Sequence, residues 1–289
     1  MDLQKPSPEP LDHLTIAVHH GKIYCFSGDT GKTYAYTPIS DTWEEKAPLP
    51  NTSDNIVSNT LNDKIYVIDG YWKTLNIYDP VNNSWTTGNP SLYELDFRRI
   101  SSVVLDERIH VFGATSLENS HQVYDPKTNS WSMDTPLIEG YFDPVVSVTS
   151  GFNAPKRIYV FGLKSNIFDS SSFNGQSYDP KTSTWTTCAK IPNKHLGGKS
   201  AVIEDKIYVM GGSTVFLGQT FSSSDNSLYT PIGYGNPDPS YTPPSPTATP
   251  TAPPEPEPFP TTIVIASITA IVVIGLGIFV YFKKYRKKF

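Results

Sequence analysis

The residues most able to bind a metal are few and scattered along this chain. The six histidines are His13, His19, His20, His110, His121 and His195, and none forms a His-x-x-x-His pair with an acidic partner. His19 and His20 precede a turn, and His110 replaces a tyrosine that recurs elsewhere, so we interpret them as structural. No Asp-x-Asp-x-Asp-Gly calcium loop occurs. The sequence therefore predicts no metal site and no cofactor.

The two cysteines, Cys25 and Cys188, fit no metal-binding or redox motif. They lie 163 residues apart, which excludes a Cys-x-x-Cys pair. We interpret them as two buried free thiols, and the alternative of one long-range disulfide stays open.

One glycine-rich segment resembles a phosphate-binding loop only in part. Residues 28–33 end in Gly-Lys-Thr, but Phe26 occupies the place of the required first glycine and no helix follows. No Gly-x-Ser-x-Gly nucleophile elbow is present. Residues 1–282 carry 18 basic and 28 acidic side chains, and this balance would repel a phosphate backbone. We therefore expect neither a nucleotide site nor nucleic-acid binding, and no catalytic residues are assigned.

The elements that position these residues recur at regular intervals. A basic residue followed by a short apolar run occurs five times, with spacings of 42 to 49 residues. Such a run predicts a buried strand that ends in a turn. The five copies are Lys22–Phe26, Lys64–Ile68, Arg108–Phe112, Arg157–Phe161 and Lys206–Met210.

A second phrase follows each of the first four copies and places a tryptophan seven residues after a tyrosine. Asp-Pro or Thr-Pro comes directly after the tyrosine, and proline beside short polar residues favours a tight turn. The spacing fits a hairpin that ends on a large, space-filling aromatic side chain, the tryptophan. Each unit thus holds about four short strands, and radial stacking is the way such sheets bury both faces. The four pairs are Tyr36 with Trp43, Tyr78 with Trp85, Tyr124 with Trp131 and Tyr178 with Trp185.

These two linked phrases resemble the kelch repeat over roughly residues 1–235. The resemblance implies an all-β, kelch-type β-propeller with four complete blades and a partial fifth, in units of about 13–46, 56–88, 101–134, 145–188 and 200–231. Kelch units usually carry Gly-Gly after the second strand. Here only Gly211-Gly212 does, and other copies read, for example, Asp69-Gly70. The residues assigned to the repeat framework are Tyr24, Trp43, Tyr66, Tyr78, Asp79, Trp85, Tyr124, Asp125, Trp131, Tyr159, Tyr178, Asp179, Trp185, Tyr208, Gly211 and Gly212.

Kelch propellers commonly close with six or seven blades, and we expect this chain to be part of such a ring. Residues 5–10 match the segment that follows a blade's tryptophan, and no apolar signal segment lies near Met1. Both features predict a natural product that extends further upstream. The alternative is a short propeller closed by oligomerisation, or by pairing of residues near Leu14 with the last strand.

The residues after 235 have the composition of a stalk and a membrane anchor. Residues 237–260 contain 11 prolines, so the segment 236–260 favours extended polyproline II. Ile263–Phe282 has 20 residues without charge or proline, about 30 Å as a helix, and this predicts a single transmembrane helix within 261–282. The basic residues of 283–289 place that tail in the cytoplasm and the propeller outside. Together the three segments resemble surface-protein anchors of archaea and some bacteria.

The connections after the second and fourth strands of each unit vary in length and share one face of the propeller. Variable loops on a rigid scaffold are the expected interaction surface. We therefore expect a non-enzymatic cell-surface recognition or adhesion module for a protein or a glycan. Kelch-like sugar oxidases and an epimerase make a carbohydrate-active enzyme one alternative, and a tail-anchored intracellular scaffold is the other. The candidate ligand-binding residues are Tyr71, Trp72, Tyr93, Arg98, Arg99 and His195, and the expected glycosylation sites of an exported chain are Asn51 and Asn82.

Overall fold

The computed structural model describes residues 4–94, 100–113, 119–164, 173–193, 195–216, 219–236 and 238–239. The chain divides into the units Met1–Tyr241 and Thr242–Phe289. The predicted span Ile263–Phe282, the basic tail and nearly all of the stalk lie outside the described residues. Within the described residues, no helix has both the length and the apolar character needed to cross a bilayer.

All regular structure in the described residues is β-strand. The strands in chain order are β1 (Leu14–His19), β2 (Lys22–Ser27), β3 (Thr33–Thr37), β4 (Thr42–Lys46), β5 (Ile56–Leu61), β6 (Lys64–Asp69), β7 (Leu75–Asp79), β8 (Ser84–Thr87), β9 (Ser101–Leu105), β10 (Arg108–Phe112), β11 (His121–Asp125), β12 (Ser130–Met133), β13 (Tyr141–Val148), β14 (Ile158–Lys164), β15 (Phe173–Asp179), β16 (Thr184–Ile191), β17 (Lys199–Ile203), β18 (Lys206–Met210), β19 (Ser213–Phe216), β20 (Gln219–Ser222) and β21 (Asn226–Tyr229).

These strands form a five-bladed β-propeller. Blades 1 to 4 are antiparallel sheets of consecutive strands, β1–β4, β5–β8, β9–β12 and β13–β16. Blade 5 contains β17, β18 and β21, and β19 with β20 forms a separate hairpin. The innermost strand of every blade contributes to one open central channel. The prediction of four complete blades and a partial fifth is confirmed.

The turns between first and second strands have a common backbone form. In blades 1, 2, 3 and 5 both central residues are left-handed, as in Asn62-Asp63 with φ of +50° and +57°. This is the type I′ turn, whose twist matches that of the flanking strands. Blade 4 differs, because residues 149–157 form a longer connection there.

A buried carboxylate organises that longer connection. Asp205, in the turn of blade 5, accepts backbone N–H bonds from Ser150 at 2.5 Å, Asn153 at 2.6 Å and Ala154 at 3.0 Å. Burial alone would raise the pKa of Asp205, but these bonds outweigh it and the pKa is lowered. Asp205 thereby fixes the position of blade 5 against blade 4.

The tyrosine–tryptophan spacing is explained by cross-strand pairing. Tyr124 and Trp131 lie opposite each other in β11 and β12, and the other three pairs have the same register. The Tyr124 hydroxyl donates to Oδ1 of Asn129 at 2.9 Å, and the same oxygen accepts the backbone N–H of Asn89 at 2.8 Å. The Trp131 indole N–H donates to the Asn89 carbonyl at 2.8 Å. We call this arrangement the Tyr–Trp clasp.

The same clasp fastens the incoming segment onto the outer strands of other blades. In blade 2, Asn83 accepts from Tyr78 and from the backbone of Ala47, whose carbonyl accepts the Trp85 indole N–H. In blade 1, the backbone of Lys5 makes the corresponding bonds. The predicted match between residues 5–10 and the segment after a blade's tryptophan therefore has a structural counterpart.

The basic residue of the first phrase pairs with the aspartate of the second. Lys64 Nζ lies 2.6 Å from Asp79, and the pairs Arg108–Asp125 and Arg157–Asp179 each lie at 3.2 Å. Each of these aspartates also accepts the backbone N–H two residues later, which fixes the Asp-Pro turn. The two phrases are therefore physically linked within blades 2, 3 and 4.

The core consists of four clusters between successive blades. Tyr24 and Phe26 of blade 1 face Ile65 and Val67 of blade 2, and equivalent positions meet at the next three interfaces. The remaining faces of blades 1 and 5 belong to none of these clusters. They expose Leu14, Ile16 and Val18 in blade 1 and Ile203, Met210 and Leu228 in blade 5.

Neither cysteine is paired in this fold. Cys25 is buried in blade 1 and Cys188 is half-buried in blade 4, and both thiols are free. Burial raises the pKa of Cys25 to about 11 and also raises that of Cys188. These thiols are poor nucleophiles at neutral pH.

Candidate recognition surface

Two adjacent aromatic rings project from the connection between β6 and β7. Tyr71 and Trp72 are 55% and 61% exposed, and their rings pack edge to face with centroids 4.7 Å apart. This connection lies at the end of the blade opposite the two-residue turn, as the predicted strand order requires.

A buried aspartate holds the two aromatic residues in place. Asp69 is 2% exposed, and its Oδ1 accepts the N–H of Tyr71 at 2.8 Å and that of Trp72 at 3.1 Å. The same oxygen accepts the Ser53 hydroxyl at 3.0 Å. Burial raises the pKa of Asp69, and the hydrogen bonds offset part of that rise. Blade 5 has Gly211 at the position that corresponds to Asp69, so the carboxylate that anchors this loop is a feature of blade 2.

Tyr93 belongs to the same surface. The Ser91 N–H donates to the Lys73 carbonyl at 3.1 Å, which brings the segment 91–93 beside the segment 71–73. The N–H groups of Leu92 and Tyr93 donate to Oε1 of Gln122, a fully buried side chain of blade 3. Leu92 and Tyr93 remain more than 40% exposed. We name the exposed group Tyr71, Trp72, Leu92 and Tyr93 the aromatic patch.

An open groove continues from the patch along the connection between blades 1 and 2. It is lined by Pro50, Asn51, Thr52, Trp72 and Thr74. Its lining combines an indole ring with amide, hydroxyl and proline groups, which suits a ligand that has both polar and apolar faces.

One predicted recognition residue is placed elsewhere. His195 is fully buried, with Nδ1 at 2.9 Å from the Gly211 carbonyl and Nε2 at 2.9 Å from the Ser227 hydroxyl. It fastens the connection before blade 5 and cannot contact a ligand, so its assignment to the surface was wrong. The prediction failed because loop position alone does not report which way a side chain points. Arg98 and Arg99 lie outside the described residues.

Sequence reasoning missed the side chains that support the patch. Gln122 has a counterpart in Gln176, whose Oε1 accepts backbone N–H bonds from Ile138 and Glu139. Asn76 occupies the same register position in blade 2. The signal was a glutamine two residues before Tyr124-Asp125 and Tyr178-Asp179, and in both blades this side chain holds the connecting segment that precedes the blade.

The central channel has a different character. Hydroxyl groups join neighbouring inner strands, as between Thr15 and Ser58 at 2.9 Å and between Ser147 and Ser200 at 2.8 Å. Among the described residues that line this channel, Lys199 is the one ionisable side chain.

Both expected glycosylation sites are at the surface. Asn51 is exposed beside the groove, and Asn82 is exposed in the turn after Asp79. The Asn82 amide donates to Asp79 Oδ2 at 2.7 Å. Their modification stays a prediction.

None of the protein-family models matches this chain, and no curated protein matches it in sequence. Solved structures with a similar fold are numerous, and YjhT is one of them. The two structures have a TM-score of 0.63 with 17% sequence identity, over 78% of this chain and 84% of that of YjhT. This similarity shows the β-propeller fold alone.

Proposed function

We propose that this chain is a kelch-type propeller that recognises a protein or glycan at the cell surface, without catalysis, through the aromatic patch. The observation that carries this proposal is a set of exposed rings whose backbone is fixed by the buried side chains of Asp69 and Gln122. Large rings held rigid before binding lose little conformational entropy when a ligand arrives.

The kelch assignment draws on the two linked phrases and on the salt bridges that join them. The surface location draws on the composition of residues 236–289, in which a stalk leads to an uncharged 20-residue segment and a basic tail. In this proposal the propeller is extracellular and the tail is cytoplasmic.

The channel lining bears on the enzymatic alternative. We would favour a carbohydrate-active enzyme if acids and arginines clustered at the channel. The described lining instead supplies hydroxyl groups and the Lys199 ammonium. Recognition at the patch is therefore the function we prefer.

A binding experiment tests the recognition proposal. Cells that display the full chain would be screened against glycan and extracellular-protein arrays, and the ligand found would be titrated. We expect Trp72→Ala to weaken binding by roughly 10-fold or more, because truncating a central exposed ring typically costs over 1 kcal/mol. Val81→Ala is the control, since Val81 is an exposed apolar residue, 84% exposed against 61% for Trp72, in the turn at the other end of the same blade. Equal losses in both variants would contradict the proposal.

A second experiment tests the location. Protease added to intact cells should cleave the propeller of the displayed chain, and alkaline carbonate should leave the chain in the membrane fraction. Protection of the propeller until the cells are opened would instead support the intracellular scaffold.

A further inference from the structure

A buried histidine pair lies between blades 3 and 4, away from the aromatic patch. His110 in β10 and His121 in β11 are 5% and 0% exposed, on the sheet face that packs against blade 4. Nδ1 of His110 lies 2.8 Å from Nε2 of His121. Asp134 follows β12, and one of its carboxylate oxygens and one nitrogen of each ring lie within 4.8 Å of one another.

Hydrogen bonding fixes the proton on His121. Its Nδ1 lies 3.1 Å from the Thr135 carbonyl, and a carbonyl can only accept, so Nδ1 carries a hydrogen. Nε2 of the neutral ring is then a lone pair directed at His110. In the fold without a ligand, the Nδ1–H of His110 donates to this lone pair.

If the His110 proton moves from Nδ1 to Nε2, Nδ1 of His110 and Nε2 of His121 both direct lone pairs at the space between the rings. Two imidazole nitrogens beside the Asp134 carboxylate are a donor set that binds a divalent metal ion.

A divalent metal ion binds imidazole in its neutral form. The bond from His121 Nδ1–H to the Thr135 carbonyl fixes that ring with its Nε2 available as a ligand.

Asp134 supplies the compensating negative charge. Its carboxylate accepts the Tyr178 hydroxyl at 2.7 Å and the Thr135 N–H at 2.6 Å, and these bonds hold it beside the two rings. Outer hydrogen bonds of this kind, from ligand histidines to carbonyls and to ligand carboxylates, commonly orient metal ligands.

The repeat itself does not require these three residues. The same positions in blade 2 hold Tyr66, Leu75 and Gly88, and a Cβ added at Gly88 would lie 2.6 Å from Leu75. Blade 2 therefore fills this space with apolar packing, whereas blade 3 fills it with two imidazoles and a carboxylate.

We propose that His110, His121 and Asp134 bind one zinc ion, or a chemically similar divalent ion, in the core between blades 3 and 4. Tetrahedral binding at 2.0–2.1 Å would separate the two nitrogens to about 3.3 Å, a small movement of the rings. The ion would strengthen blade 3 at its contact with blade 4.

Metal titration tests this proposal. The full chain in detergent would be treated with a chelator at pH 7.5 and titrated with Co²⁺, then with competing Zn²⁺. We expect one equivalent of Co²⁺ to give the intense d–d absorption of a four-coordinate site with nitrogen ligands. Zn²⁺ should abolish this absorption and raise the midpoint of thermal unfolding.

Variants identify the ligands. Asp134→Asn and His110→Gln should each weaken the metal affinity by 10-fold or more. His195→Gln, at a second fully buried histidine, should leave it unchanged. His20→Gln should also leave it unchanged, and this excludes the exposed group His19, His20 and Asp63.

If a variant fails to fold, X-ray absorption of the zinc-loaded wild-type chain gives the ligand set directly. Two imidazole nitrogens and a carboxylate oxygen at about 2.0 Å would support the site. Failure to bind metal stoichiometrically, or binding lost only in His20→Gln, would overturn the proposal. A proton shared between the rings in the presence of excess zinc, seen by ¹⁵N NMR, would overturn it as well.

Discussion

The Tyr–Trp clasp predicts that Asn129 contributes strongly to stability although it lies in an exposed turn. Its Oδ1 accepts both the Tyr124 hydroxyl and the Asn89 N–H, and its φ of +49° is left-handed. Asn129→Ala removes the acceptor and places a Cβ in a backbone region that alanine disfavours. Asn129→Gly removes the acceptor but tolerates that backbone region.

The size of the expected loss of stability follows from how deeply the two donor groups, the Tyr124 hydroxyl and the Asn89 N–H, are buried. Tyr124 is 1% exposed, so its unpaired hydroxyl would cost about 1–3 kcal/mol. Water can replace Asn129 as the partner of the Asn89 N–H, so the loss of this bond costs about 0.5 kcal/mol. In the alanine variant, the left-handed backbone adds a further cost of about 1 kcal/mol. We expect the free energy of unfolding to fall by about 3 kcal/mol in Asn129→Ala and about 2 kcal/mol in Asn129→Gly.

Urea unfolding at pH 7, followed by tryptophan fluorescence and circular dichroism, measures both variants. Thr128→Ala is the matched control, because this neighbouring side chain is exposed and should change stability by less than about 0.5 kcal/mol. If Asn129→Ala resembles this control, the clasp contributes little and the reasoning fails. If the glycine variant is no more stable than the alanine variant, the cost that we assign to the left-handed backbone at Asn129 is refuted.

Three further predictions concern buried groups. Asp205→Asn should destabilise the chain by about 2 kcal/mol at pH 7, because an amide cannot match the charge-assisted bonds to residues 150–154. The Asp205 pKa is lowered in the fold, so this contribution is present above the ordinary carboxyl pKa of about 3.9 and is lost as the pH falls through the folded value. Urea midpoints of wild type and variant should therefore converge in acid. Gly28→Ala should unfold the chain or cost over about 3 kcal/mol, since its Cβ would lie 1.9 Å from a carbonyl oxygen of the next connection, whereas Gly21→Ala meets no atom within 4 Å and costs about 1 kcal/mol. Cys25 should resist iodoacetamide at pH 8 until urea is added, because burial raises its pKa to about 11, and rapid labelling of the folded chain would contradict its burial.

The fold was predictable because each phrase of the repeat encodes contacts within one blade. Tyr78 and Trp85 are cross-strand partners, and Asp79 pairs with the lysine that begins the second strand. These contacts join residues that lie close together in the sequence, so the spacing of the residues is enough to predict them. Blade number within the chain followed directly from counting the phrases.

The side chains that support the aromatic patch were not predictable in the same way. Tyr71 and Trp72 were identified from loop position, and the structure places them at the surface beside Tyr93. Gln122 reaches them from the next blade, and its role depends on a contact between units. His195 shows the converse, because a residue in a variable connection can turn inward and bond to its own blade.

The histidine pair shows why motif searches fail in a repeat protein. His110 and His121 are 11 residues apart, and Asp134 lies 13 residues further on, so no local spacing rule joins them. Antiparallel pairing nevertheless places the two histidines on adjacent strands, and Asp134 lies beside them directly after β12, where its N–H donates to the His121 carbonyl. Comparison of equivalent positions between blades finds such sets, because the framework residues stay constant and the face residues change. Wherever one blade replaces apolar packing with ionisable groups, as blade 3 does relative to Tyr66, Leu75 and Gly88, the burial of those groups demands a compensating partner.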